Sequence, residues 1–353
     1  MAPPTKSKPV RKDMFPALLK ALPKPTLYSE TARPTALPPN YRSLSWSPTG
    51  NLVATALGVN ITIWDPQKPS FKQCTQLKGA GAATLERAVF SPRHESLLAS
   101  TDGAGMCRLW DVRIPGGAAG GGKGSKLEEC KTGDKGLFLT WHPNGQELLV
   151  GRADDVVQAV DIRRMSNFDN SATWSMQATE RTPEKDKGHF NAMAFSNSGS
   201  CVFATTGEGP VKILDYPSMN VLHTLNAHTN ETFAVQHSPS GNFVATGGTD
   251  STICLWDTTH WHCANAIMTH SSAVQDLSFS FDGAYIIAAS GREAGRDGGS
   301  SGIEISHADT GEHVHTVETK REASLVAWHP LRYWLAYAGD PGGIHIVGAG
   351  STI

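Results

Sequence analysis

The sequence predicts an all-β protein: seven small antiparallel sheets closed into a ring. An aromatic residue, usually followed by a Ser-Pro or His-Pro turn, recurs at Trp46, Phe90, Trp141, Phe195, Phe279 and Trp328, with His237 in the fifth place. The intervals are 44, 51, 54, 42, 42 and 49 residues, a period that belongs to stacked repeat architectures. Between these anchors lie short β-branched and aromatic runs separated by turn residues, and with 35 Gly and 21 Pro in 353 residues long helices are not expected. A single meander of this size cannot bury both its faces. Neighbouring repeats must do it, and a ring leaves only short edges.

The first 25 residues stand apart. Lys6, Lys8, Arg11, Lys12, Lys20 and Lys24 face Asp13 alone, a balance of +5, which leaves −7 for the rest of a chain whose net charge is −2. The tract Lys6-Ser-Lys8-Pro-Val-Arg11-Lys12 is interrupted by Pro and predicts a disordered basic tail. After it, Asp13 as N-cap, Pro16 in the first turn and the apolar face Phe15, Leu18, Leu19 and Leu22 predict a short helix, a candidate for docking on a partner or on the ring itself. The ring is expected to cover residues 26–353.

Each unit then reads as three strands and an outer fourth. Unit one is Ser45–Asp65, with Gln73–Leu77 as its outer strand. Unit two ends at Leu109-Trp110-Asp111, with an outer strand near Leu127–Cys130. In "SPTG", "HPNG" and "SPSG", Pro presets φ and Gly supplies a positive φ, as a tight strand connection requires. Unit seven stops after its third strand, Gly343–Val347. Its missing outer strand is expected from upstream of unit one, at about residues 26–32, which would close the ring. Stretches at 115–125, 166–190 and 292–301 read as insertions.

Several constellations invite a chemical reading. Gly117-x-x-x-x-Gly122-Lys123 is one residue short of a phosphate loop, because Gly124 stands where the Mg²⁺-ligating hydroxyl belongs. A phosphate loop also needs a helix N-terminus after it, and here another strand is expected. His260-Trp-His262-Cys263 looks like a metal cluster, but it is expected on the outer strand of unit five, with no carboxylate recognised close in sequence. No metal and no cofactor is therefore assigned. The six cysteines form no CxxC pair and read as small buried residues of a reducing compartment. No apolar run reaches membrane-spanning length, and the N-terminus has no secretory h-region. No catalytic motif is found, so an enzyme is not expected.

Unit five carries His228, Thr246, Asp250 and Trp256, and this pattern resembles the WD40 repeat. The resemblance implies a seven-bladed WD40 β-propeller in which those four residues form a buried hydrogen-bond relay, structural rather than catalytic. Unit two has Ser100 and Trp110 but Ala104 in the Asp place. The positions four before each anchor, including Arg42, Glu86, Asn191 and Gln275, are expected on the upper central rim, where propellers meet partners. They show no uniform charge and no aromatic cage.

Three further signatures, Asp154-Asp155-Val-Val157, Asp215-Tyr-Pro217 and Asn226-Ala-His228, together resemble the WD-repeat subunit of the THO complex, the core of the TREX mRNA-export assembly. The resemblance runs from about Tyr41 to Gly348. It implies a nuclear, non-catalytic scaffold subunit that docks on the large helical subunit of THO and touches RNA weakly or indirectly. Lys6, Lys8, Arg11 and Lys12 would then serve import. The competing expectation is a substrate-receptor or histone-binding adaptor of another nuclear complex.

Overall fold

The computed structural model describes residues 10–11, 13–14, 26–28, 40–67, 75–77, 81–113, 126–166, 172–183, 189–268, 272–290, 302–339 and 343–348. Strand β1 (Thr26–Tyr28) precedes the first full blade, which is β2 (Tyr41–Trp46), β3 (Val53–Leu57), β4 (Asn60–Trp64) and β5 (Thr75–Leu77). Blade two is β6 (Leu85–Phe90), β7 (Leu97–Asp102), β8 (Met106–Asp111) and β9 (Lys126–Lys131). Blade three is β10 (Gly136–Trp141), β11 (Glu147–Arg152), β12 (Val157–Ser166) and β13 (Ala172–Glu180). Blade four is β14 (Phe190–Phe195), β15 (Cys201–Thr206), β16 (Val211–Asp215) and β17 (Val221–Leu225). Blade five is β18 (Thr232–His237), β19 (Phe243–Gly248), β20 (Ile253–Asp257) and β21 (Cys263–Ile267). Blade six is β22 (Val274–Phe279), β23 (Tyr285–Ser290), β24 (Gly302–His307) and β25 (His313–Glu318). Blade seven is β26 (Leu325–Trp328), β27 (Trp334–Ala338) and β28 (Ile344–Gly348), with β1 antiparallel on its outer edge, Thr26 opposite Ile346 and Tyr28 opposite Ile344. The protein is a seven-bladed β-propeller.

The apolar residues form seven cores, one between each pair of neighbouring blades. Between blades one and two, Ala54 and Ile61 meet Leu85, Phe90 and Leu98. Between blades three and four, Phe138 and Leu149 meet Phe195 and Val202. The last interface sets Trp46 and Trp64 of blade one against Ala336 and Ile346 of blade seven. The inner strands are also stitched side chain to backbone. Ser45 Oγ accepts the amide of Phe90 at 3.1 Å, Gln236 Oε1 that of Phe279 at 2.8 Å, and Ser278 Oγ that of Trp328 at 2.9 Å. Each acceptor sits one residue before its blade's anchor. The anchors add their own bonds: Trp46 Nε1 donates to Ala327 O and Trp141 Nε1 to Val89 O, both at 3.1 Å.

The turn glycines matter most where another blade lies beneath them. Gly50 (φ 74°) sits over the ring of His329 from blade seven, and a Cβ there would fall 2.0 Å from it. Gly199 of blade four rests likewise on His142 of blade three, whose Nε2 lies 3.2 Å from Gly199 O. Burial under this contact pushes the His329 imidazole down to about 4, so it is neutral at physiological pH.

The relay residues of blade five lie in bonding order. Trp256 Nε1 donates to Thr246 Oγ1 at 3.2 Å, Thr246 Oγ1 meets His228 Nε2 at 2.9 Å, and His228 Nδ1 meets Asp250 at 3.0 Å. Thr252, which sequence reading passed over, closes the far end by donating to Asp250 Oδ1 at 2.6 Å. Burial raises the Asp250 carboxyl, but the bonds from Thr252 and His228 outweigh it and hold it below the usual carboxylate value. Blades one and two have the inner half of the relay, Trp64 to Thr55 at 3.0 Å and Trp110 to Ser100 at 2.9 Å. In blade two Asp102, not position 104, caps the turn: it accepts the amides of Ala104 and Met106 and pairs with Arg108.

The stretch 166–190 is not simply a polar insertion. Residues 172–180 form β13, and β12 and β13 pair over nine positions from Gln158–Glu180 to Ser166–Ala172. Trp174, Met176 and Ala178 of this long hairpin, with Leu127 and Cys130 of the blade-two outer strand, pack on the core between blades two and three. The cysteines are also less uniform than expected. Cys107 and Cys254 are buried, Cys130 and Cys201 half-buried, and Cys263 exposed, because it heads an outer strand. Cys74 lies outside the described residues.

Two outcomes follow. Thr246→Val leaves the Trp256 N–H and His228 Nε2 without their shared partner and should lower stability by about 1–3 kcal/mol, read from the denaturant midpoint. Removing residues 1–20 spares β1 and should leave a cooperative unfolding transition. Removing 1–33 deletes the outer strand of blade seven and should abolish it.

Candidate functional site

The rim residues found by spacing have a structural reason. In six blades the inner strand carries a β-bulge at its second residue, where the ladder skips a position. The skipped residues are Arg42, Glu86, Leu137, Asn191, Phe233 and Gln275. A bulge leaves its residue outside the ladder and re-aims the side chain, which places these six around one end of the inner ring. Blade seven pairs Leu325 with Ala338 onward without a shift.

Their surroundings differ. Glu86 is buried, 3.0 Å from Lys135 Nζ and 3.9 Å from Arg42 Nη1. Asn191 Nδ2 donates to Thr232 O of the next blade at 3.1 Å. These two are engaged within the ring. Gln275 is exposed and the Arg42 side chain nearly half-exposed, so these two are open to a partner. Leu137 and Phe233 are half-buried between them. The result is a surface of mixed polarity suited to protein contacts.

Behind this rim lies a pair that the spacing rule missed, one residue further in. Arg87 donates to Arg42 O, and burial pulls its guanidinium down, countered by the charges of Asp276 and Glu86. Asp276 of blade six accepts the amides of Leu277 at 3.0 Å and Val326 at 3.1 Å, so it also ties blade six to blade seven. Burial pushes its carboxyl up to about 6, against the pull of those two amides and of Arg87.

The opposite end of the ring carries a cleft of about 970 Å³ among blades two to four, lined by His142, Glu147, Arg163, Arg164, Trp174 and Tyr216. Arg163 is held by Asp161, and the Arg164 guanidinium lies 6.0 Å from the centre of the Trp174 ring. Its charges are mixed, as on the rim.

The His-Trp-His run departs from expectation in two ways. His260–His262 lie in the turn before β21, not on a strand face, with Trp261 at φ 54°. A carboxylate is close after all: Asp257, three residues upstream, has Oδ1 3.3 Å from His260 Nδ1. One ligand atom each from Asp257, His260 and His262 lie within 4.8 Å of one another. The docking-helix residues Phe15, Leu18, Leu19 and Leu22, the basic residues Lys6, Lys8 and Lys12, the glycine stretch 116–125 and residues 292–301 lie outside the described residues. Of that N-terminal region, Arg11 is exposed and pairs with Asp13, while the Val10 amide donates to Tyr333 OH at 3.1 Å on blade seven.

Asp276 gives the rim a pH signature. Unfolded, a carboxyl titrates near ~3.9. Folded, this one titrates near about 6, so between the two values the folded protein holds a proton the unfolded chain has released. Stability from this group therefore falls as pH rises through that window and is level above it. The stability of Asp276→Asn relative to the parent should grow from about pH 4 to about pH 6 and then stay constant, as read from denaturant titrations across that range.

The WD domain, G-beta repeat family matches residues 219–257 and 261–298, the stretches holding the outer strand of blade four, all four strands of blade five and the first two of blade six. THO complex subunit 3 of Arabidopsis thaliana is 28% identical over 301 residues, 84% of this chain and 86% of that protein. WD repeat-containing protein AAC3 of Dictyostelium discoideum is 26% identical over 276 residues, 77% of this chain and 51% of its own length. Among solved structures, the β-propeller domain of Cps50 (Swd1) from Myceliophteria thermophila superposes with a TM-score of 0.70 over 88% of this chain and 97% of that domain, at 17% identity. That likeness shows the fold. Seven blades, the blade-five relay and the match to a THO subunit along most of both chains lead to one conclusion: this chain is a seven-bladed β-propeller whose residues 219–257 and 261–298 match the WD repeat, and it is similar to THO complex subunit 3.

Proposed function

We propose that the chain is a non-catalytic interaction subunit of a THO/TREX-type nuclear complex that couples transcription to mRNA processing and export. The observation that carries this is the similarity to THO complex subunit 3, which spans 84% of this chain and 86% of that relative and so extends over most of the ring rather than one shared repeat. The mixed rim agrees with it: open Arg42 and Gln275 beside apolar Leu137 and Phe233 suit a protein surface better than a phosphate backbone. The partner would be the large helical scaffold subunit, with RNA contacted weakly or through other subunits. The basic N-terminal tract would serve import.

Affinity purification of the tagged chain from nuclear extract tests the reading. THO subunits are expected to co-purify at near-stoichiometric levels and to weaken on joint substitution of Arg42 and Gln275 by Glu. Recovery of a ubiquitin-ligase or chromatin complex without any THO subunit would overturn it.

A further inference from the structure

Three blades make the same turn between their third and outer strands. In blade four the amide of Asp215 donates to Asn220 O and that of Met219 to Asp215 O. Asp257, Trp261 and His262 repeat both bonds in blade five, and His307, Gly311 and Glu312 repeat them in blade six. The fifth residue of each turn is left-handed: Met219 at 57°, Trp261 at 54° and Gly311 at 68°. This backbone turns the first and fourth side chains toward one point, where the sixth joins them in blades five and six. In blade four Ser218 Oγ donates to Asp215 Oδ2 at 2.6 Å. In blade six Thr310 Oγ1 lies 3.4 Å from His307 Nδ1 and 3.2 Å from Glu312 Oε2. The convergence is thus a property of the turn, and sequence decides what converges.

In blade five what converges is Asp257, His260 and His262, a carboxylate and two imidazoles with their ligand atoms within 4.8 Å of one another. The equivalent positions of blade four offer one metal-ligand type, Asp215, and those of blade six two, His307 and Glu312. Asp257 is already oriented, because its Oδ1 accepts the amides of Thr259 at 2.9 Å and His260 at 2.8 Å. Those bonds hold its carboxyl below the usual range, the His260 amide contributing most, so it stays ionised. Trp261, between the two histidines, lies against Phe203 of blade four, ring centres 6.0 Å apart, which anchors the turn. Both histidine side chains are exposed. Ligands around a tetrahedral ion with bonds of about 2.0–2.1 Å stand roughly 3.3 Å apart, so small rotations of the two rings complete the geometry.

We propose that Asp257, His260 and His262 form a surface site for one divalent transition-metal ion of the zinc class. Two imidazole nitrogens and one carboxylate oxygen suit that class better than Mg²⁺ or Ca²⁺, which take oxygen ligands. The fourth position is open to water or to a donor from a bound partner.

Isothermal titration of the full chain with Zn²⁺, purified without a polyhistidine tag, tests the site. One ion per chain is expected to bind saturably. His260→Ala and His262→Ala should each weaken binding tenfold or more, since loss of even an outer-shell partner costs about 10–100-fold. His223→Ala, on the blade-four outer strand, should change nothing. The variants are at exposed positions, and an unchanged unfolding midpoint confirms that they fold. The Co²⁺ form gives a second readout, with absorption of nitrogen and oxygen coordination expected. Absence of saturable binding, or binding that survives both histidine substitutions, would overturn the proposal. So would thiolate charge transfer in the Co²⁺ form that disappears in Cys263→Ser.

Discussion

Each four-stranded blade has two apolar faces and nothing inside itself to cover them. The whole structure follows from that constraint. Among the described residues the buried side chains form seven separate cores between neighbouring sheets, and the seventh, Trp46 and Trp64 against Ala336 and Ile346, exists only because the chain returns to its start. The side chain-to-amide stitches at Ser45, Gln236 and Ser278 act across the same interfaces, so polar and apolar contacts select one blade spacing together. Stability is therefore cooperative around the ring in a way an open stack of repeats is not.

The blade-five relay is best understood within this arrangement. A Trp N–H and a buried Thr hydroxyl in a sheet interior must be satisfied, and Thr246, His228 and Asp250 pass the requirement outward to a partly exposed carboxylate. Blades one and two share the relay's inner step, from Trp64 to Thr55 and from Trp110 to Ser100. In blade two Arg108 stands between Asp102 and Glu129, so an ion pair takes the place of the histidine arm. The repeats have diverged in chemistry while keeping the same sheet.

Much of this was legible in the sequence. The aromatic-Ser-Pro spacing located all seven blades, and counting back four residues reached the bulge positions Arg42, Glu86, Asn191 and Gln275. That worked because bulge and anchor belong to one strand, where distance along the chain is distance in space. What escaped depends on turns or on neighbouring strands. Asp257 was overlooked because the His-Trp-His run was placed on a strand, where i and i+3 point to opposite faces, whereas a left-handed Trp261 folds them together. Arg87 and Asp276 sit one residue past the bulge, and their coupling crosses from blade two to blade six. The polar 166–190 stretch hid an outer strand because the apolar side of β13 faces the core shared with β9 of another blade, a contact with no local signature.

Ring closure has a further, mechanical consequence. The ladder between β1 and β28 is three residue pairs long, as short as the β4–β5 and β23–β24 ladders and shorter than the rest among the described residues. Losing β5 would strip one outer edge, but losing β1 uncovers the outer edge of the sheet that joins the last blade to the first. Short ladders at a rim open at lower free energy than inner strands. Blade seven is thus a clasp: the ring stays closed only as long as this short ladder does.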